Sequence, residues 1–236
     1  MDMDSQLLIR EMLVLVPVLL MALTFHEFSH GWMAYRFGDD TAKQAGRLTL
    51  NPLAHLDPIG TLMILFVHFG WARPVPINPT RMRNPKRDSL LVALAGPFSN
   101  LLLALLFAIL LRVSIHALGS LTLLESSPGW IKGGIALLIT GVEINVALAF
   151  FNLIPIHPLD GSRVLSGLLP LRQAYAYSRL EPYGFLILLG LIISEQSLGI
   201  PVFRLLVWYP VEVVGGIFTG IPWWMIKGLL LHLLTF

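Results

Sequence analysis

The chain has 236 residues, 56% of them hydrophobic and only 13% charged, with a formal net charge of +2. Soluble domains carry roughly a quarter charged residues, so this composition cannot supply the polar shell of a free-standing soluble protein, and it gives nucleic acid no basic surface to bind. The absence of cysteine excludes a disulfide frame and a thiolate metal site.

The first apolar stretch, Met12–Phe25, has no basic amino-terminal region and runs unbroken into His26-Glu27-Phe28-Ser29-His30. It is therefore expected to be retained, not cleaved as a signal peptide. A helix is predicted from Leu7 to Phe37, with a kink at Pro17. Within Gly38–Asp57, residues Arg47–Leu50 alternate polar and apolar before Asn51-Pro52 breaks the pattern, which predicts a short β-hairpin. Pro58–Trp71 is apolar but only 14 residues long, short of the roughly 20 that a spanning helix needs. It is expected to dip into the membrane and return as a re-entrant segment.

Arg73–Arg87 is a basic loop rich in proline, and Asp88–Arg112 and Ile131–Ile154 are each predicted to span. In the following NLIPIHPLDG, Pro155 and Pro158 stop the helix, and Ser162–Leu171 is expected to return as a short one. Pro182–Ile193 begins another apolar helix, and Ile200–Phe236 holds one broken or two short helices around Pro210, Gly215, Gly216 and Pro222. The expectation is an all-α polytopic membrane protein with about five to six transmembrane helices, a short β-hairpin and a re-entrant segment. A single integral membrane domain is expected over residues 1–236, with its core in 7–170 and C-terminal helices in 182–236.

His26-Glu27-Phe28-Ser29-His30 has the HExxH pattern. Residues four apart on a helix share a face, so the two imidazoles can hold one ion while the glutamate reaches a water beside it. Composition alone would give such a pattern by chance in about one per cent of similar chains. Two histidines and a carboxylate inside an apolar helix are costly to insert, roughly 2.5–3.5 kcal/mol for a central charge. A hydrogen-bonded polar patch between helices is the plain alternative; a zinc ion would account for all three groups together.

A catalytic zinc takes three protein ligands and leaves a position for water. Asp57, His55, His157 and Asp160 are candidates for the third, whereas Glu143 lies mid-helix with no other polar support. Asp160 follows a helix stopped at membrane depth, where irregular backbone is tolerated only around a cavity or inside protein. On spacing alone it could equally cap the next helix.

With HEFSH, NPLAHLDPIG and FNLIPIHPLDG in that order, the sequence resembles the site-2 protease family of intramembrane zinc proteases. The resemblance runs at least from Leu20 to Leu169 and is greatest to small prokaryotic members without a PDZ domain. It implies His26, His30 and Asp160 as ligands of one zinc ion per chain and Glu27 as the catalytic base. Asn152, Pro155, Leu159, Asp160 and Gly161 match the family's NxxPxxxLDG pattern, so Asn152 is a candidate to bind substrate or the oxyanion. His157 stands where the family pattern suggests a proline, and it is expected at the cavity mouth. His55 is expected to support the site without ligating.

For His26, His30 and Asp160 to meet, the end of the first helix and the start of the LDG segment must lie on one side of the membrane. A re-entrant Pro58–Trp71 meets that requirement, and it places Arg36–Asp88, with its eight Lys or Arg residues, on the cytoplasmic face. The function expected is an intramembrane zinc endopeptidase acting on transmembrane helices of protein substrates in the bilayer, with its site toward the cytoplasm. A non-catalytic zinc-binding scaffold is the alternative. Substrate identity and oligomeric state are not legible.

Overall fold

The computed structural model describes residues 3–57, 60, 72–119, 124 and 126–234. Helix α1 (Met3–Arg36) continues through Pro17 for 34 residues. It is followed by a single turn, α2 (Thr41–Gln44), and by 3-10 turns at Pro52–Ala54 and Pro79–Arg81. Next come α3 (Pro85–Leu118), α4 (Gly129–Asn152), α5 (Asp160–Leu168), α6 (Leu171–Ser178) and α7 (Gly184–Leu198). A π turn at Arg204–Trp208 leads into α8 (Tyr209–Thr219), and α9 (Trp223–Leu234) ends the described chain.

At 1.5 Å per residue, α1, α3 and α4 all exceed the roughly 30 Å of a hydrocarbon core. Among the described residues, four stretches are long and apolar enough to cross a membrane: Gln6–Arg36, Pro85–Leu118, Gly129–Asn152 and Leu171–Leu198. The α8–α9 pair, bent by 89°, makes a fifth if it is one broken span. The count among the described residues is thus four or five. The break falls where Gly220 takes a φ of 69° and Pro222 removes an amide hydrogen, so this stretch yields one bent pair instead of two spans.

The expected β-hairpin does not form among the described residues. Gly46 turns the chain with a φ of 66°, and Asn51 accepts a hydrogen bond from Leu53 N, which starts a 3-10 turn in place of a strand. The Thr49 carbonyl is taken by His55 Nε2 at 2.8 Å. With the Thr49 carbonyl so committed and Arg47 N bonded back to the Ala42 carbonyl, Arg47–Leu50 forms no ladder, and the pairing among the described residues is an isolated bridge between Leu56 and Ala72. Apart from Gly60, the segment Pro58–Trp71 lies outside the described residues.

The chain divides into two compact units, one of residues 1–22, 100–150 and 203–236 and the other of 23–99 and 151–202. The first unit holds the larger apolar core, centred on Phe107, Leu111, Ile139, Val142 and Val146. Gly141 is needed there, because a Cβ at that position would stand 2.5 Å from the Phe107 ring. Polar bonds add to this packing where water is scarce. The fully buried Asn100 amide donates to Asn145 Oδ1 at 3.0 Å and to the Ala22 carbonyl at 3.1 Å. Glu143, without polar support in the sequence, receives it from α9: Lys227 Nζ donates to its carboxylate at 2.5 Å.

The second unit is tied together around Asp39, which is 0% exposed. Its carboxylate accepts from Thr41 N at 3.0 Å and from Asn78 N at 2.6 Å, joining the end of α1 to the loop before α3. Gly161 and Gly167 permit close approach here, since a Cβ at either would come within 2.2 Å of the Leu153 carbonyl or 2.7 Å of Leu90.

The Glu143–Lys227 pair makes a prediction. Lys227→Met should destabilise by about 1–3 kcal/mol, less than the roughly 3–5 of a fully buried pair, because the lysine side chain is 44% exposed. Glu143→Gln should cost a similar amount, and the double variant less than the two losses added. Thermal unfolding in detergent of the two single variants and the double one measures this, and simple additivity would show that the pair contributes no coupling.

Candidate metal centre

All of the centre lies within the unit of residues 23–99 and 151–202. His26 and His30 sit one turn apart on α1, and Asp160 is the first residue of α5. The sequence folds this way because α4 ends at Asn152 ahead of Pro155 and Pro158, and because Gly161 lets the new helix start against the Leu153 carbonyl. Asp160 Oδ2 lies 3.0 Å from His26 Nε2 and 3.2 Å from His30 Nε2, and the two imidazole nitrogens are 3.0 Å apart. The histidines are 5% and 6% exposed and Asp160 9%.

The chemistry of these atoms identifies what can join them. His30 Nδ1 is 2.7 Å from the Val92 carbonyl, which can only accept, so the proton belongs on Nδ1 and the Nε2 lone pair faces Asp160 and His26. Burial opposes charge on Asp160, and a proton on a facing imidazole nitrogen, or a cation in its place, lowers its carboxyl below the usual carboxylate range. Lone pairs and a carboxylate oxygen at about 3 Å repel one another unless a proton or cation stands between them. Tetrahedral zinc with bonds of about 2.0–2.1 Å sets its ligand atoms about 3.3 Å apart. The three side chains fit such an ion, and they form the metal-competent group among the described residues.

Glu27 is half-buried next to the pair. Its Oε2 accepts a hydrogen bond from Val75 N at 2.8 Å. Val75 stands between Pro74 and Pro76, so this is the sole amide hydrogen of the Pro-Val-Pro segment, and the prolines fix the backbone that aims it. The segment is braced from behind, where Arg73 N donates to the His55 carbonyl at 2.8 Å and Arg47 donates to the Arg73 carbonyl at 2.6 Å.

The remaining sequence candidates fall into different places. His55 is 1% exposed and bonded to Thr49, so it supports the loop behind Val75. His157 lies against the Tyr177 ring, with centroids 5.1 Å apart. Asn152 closes α4 ahead of the LDG segment. Asp57 accepts from Gly60 N. None of these four belongs to the metal-competent group.

Three participants escaped sequence reasoning. Val92 acts through its carbonyl and Val75 through its amide, and the identity of the side chain signals neither. The third is Gly96 on α3, where a Cβ would stand 2.4 Å from His30 Nε2 and 2.6 Å from His26 Cε1. A glycine before Pro97 inside an apolar helix was the available hint. Gly96→Ala should therefore push the imidazoles apart and weaken zinc binding about 10–100-fold, the range seen when support around a metal site is lost. Zinc titration of the purified variant measures this, and wild-type affinity would mean that the helices yield to the methyl group.

Comparison with known proteins agrees with this chemistry. The model of peptidase family M50 matches residues 112–194. A Bacillus subtilis (strain 168) protein, provisionally named zinc metalloprotease YwhC, is 43% identical over 180 residues, which cover 76% of this chain and 80% of that protein. Rip2 of Mycolicibacterium smegmatis, also provisionally a zinc metalloprotease, is 33% identical over 198 residues, covering 80% of this chain and 70% of that protein. No solved structure matches the chain.

Proposed function

The chain belongs to peptidase family M50, the site-2 protease family, and from that premise we propose that it is an intramembrane zinc endopeptidase. Its substrates would be transmembrane helices of other proteins. His26, His30 and Asp160 would hold one zinc ion per chain, with Glu27 as the general base. The observation that carries this reading is the convergence of three potential ligand atoms within 3.2 Å of one another, with a second carboxylate, that of Glu27, held next to them by a single backbone amide.

When bound, zinc supplies Lewis-acid polarisation of the peptide carbonyl and makes water acidic enough to be deprotonated near neutral pH. Val75 N holds one Glu27 oxygen and leaves the other, which has no partner among the described residues, to take a proton from the attacking water. Glu27 then returns that proton to the leaving amine. Asn152, at the end of α4, is the residue we assign to the substrate carbonyl or the oxyanion. The histidines belong to a helix long and apolar enough to span, which supports substrates that also lie in the bilayer. A helical substrate must unwind before attack, because its carbonyls are bonded within the helix and shielded by the next turn. A purely structural zinc site would have no use for a carboxylate positioned like Glu27.

Glu27→Gln keeps the shape of the side chain but cannot accept the proton. Zinc content should stay near that of wild type while cleavage of a membrane-helix substrate falls by roughly 10²–10⁴-fold. Asp160→Ala should lose zinc and cleavage together. Full cleavage by Glu27→Gln would remove its catalytic role, and stoichiometric zinc in Asp160→Ala would remove that residue from the ligand set.

The basic loops support a site that faces the cytoplasm. In this cysteine-free chain, single cysteines replacing Lys43 and Arg83 should both react with an impermeant thiol reagent from the cytoplasmic side alone. Labelling from opposite sides would mean that the stretch between them crosses the membrane.

A further inference from the structure

A cavity of about 480 Å³ opens between the first turns of α3 and one face of α5. Its polar lining is symmetrical in kind. Lys86 and Ser89, three residues apart, come from α3, and Arg163 and Ser166, likewise three apart, come from α5. Ile77 and Val92 contribute apolar wall, and no Asp or Glu lines the space. Residues three apart on a helix share a face, so each helix presents one cation and one hydroxyl to the same hollow.

These groups are scarcely used by the protein itself. Lys86 Nζ donates once, to the Leu169 carbonyl at 2.6 Å, and keeps two further hydrogens. The Ser89 hydroxyl meets only the Met82 sulfur, at 3.9 Å. Arg163 and Ser166 have no hydrogen-bond or ion-pair partner among the described residues. Asp88, the acid in the first turn of α3, is 3% exposed and accepts from Asn84 N. Two cations in one concavity, with no lining acid, repel each other and concentrate positive potential. The helix end adds to that potential, since the N-terminus of α3 carries partial positive charge.

We propose that this cavity binds a phosphoryl group, and that its source is the headgroup of an acidic phospholipid. A phosphate diester offers acceptor oxygens to the guanidinium, the ammonium and both hydroxyls at once. The volume exceeds what a bare phosphate fills and leaves room for glycerol against Ile77 and Val92. Position selects the lipid as source: Lys86 and Ser89 begin the candidate span Pro85–Leu118, and the end of a span is where headgroup phosphates lie. The bound headgroup fastens α3 to α5, the helix that begins at Asp160, and its Val92 wall is the residue whose carbonyl orients His30.

The test compares wild type with the Lys86→Gln/Arg163→Gln double variant and with Arg163→Gln alone. The Arg163 side chain is exposed and has no hydrogen-bond or ion-pair partner among the described residues, so the single variant keeps the test open if the double variant misfolds. Each protein, purified in neutral detergent, is titrated with phosphatidylglycerol, with phosphatidylcholine and with inorganic phosphate, and bound lipid is counted by native mass spectrometry. Wild type should retain phosphatidylglycerol in preference to phosphatidylcholine, less so as salt is raised. Affinity should fall about tenfold in Arg163→Gln, as expected for one charge-assisted hydrogen bond, and further in the double variant. The exchange Lys86→Arg/Arg163→Lys should preserve binding. Equal phosphatidylglycerol affinity in wild type and Arg163→Gln, or equal binding of the two lipids by wild type, would overturn the proposal. Full displacement of phosphatidylglycerol by inorganic phosphate would keep a phosphoryl site but overturn the lipid as its source.

Discussion

Three potential ligand atoms brought within 3.2 Å of one another are the constraint on which this structure depends. With the His30 proton turned to the Val92 carbonyl, a hydrogen on His26 Nε2 is the one that neutral imidazoles can bring to the cluster, and it cannot lie along all three contacts at once. A cation resolves the conflict, and zinc has the donor preference and bond lengths to do so. Family M50 membership and the relatives' names agree with that reading. Much of the surrounding sequence is then intelligible as what brings the three atoms together.

Close approach around the cluster is obtained by leaving atoms out. Gly96 clears room for both imidazoles, and Gly161 lets α5 begin against the carbonyl of Leu153. Proline does related work in the backbone. Pro155 and Pro158 follow the end of α4, while Pro74 and Pro76 leave the segment beside Glu27 a single amide hydrogen, which that glutamate accepts. In Arg47–Leu50, the expected strand, the Thr49 carbonyl and the Arg47 amide are bonded locally.

In a bilayer, polar atoms away from the cluster face the same penalty and meet it without a metal. Asn100 and Asn145 satisfy one another and two helix carbonyls, and Glu143 is matched by Lys227. These pairings are neutral overall. The hollow beside α3 differs because its charges are all of one sign, which is why it points to a ligand and not to packing.

The sequence by itself determined the membrane class, the principal helices to within a few residues at most ends, and the HExxH pair with its glutamate. Those features rest on local rules: apolar length, helical period and proline stops act over neighbouring residues and survive without tertiary information. Asp160 was only one of four open choices until resemblance favoured it, and the fold put it beside the histidines, because a carboxylate 130 residues from His30 is brought near by helix packing that no local pattern encodes. The tertiary structure also decided against the β-hairpin, gave Glu143 its lysine, and assigned work to Val75, Val92 and Gly96. Those three act through a backbone amide, a backbone carbonyl and a missing side chain, and such contributions are invisible in residue type until the chain has folded around them.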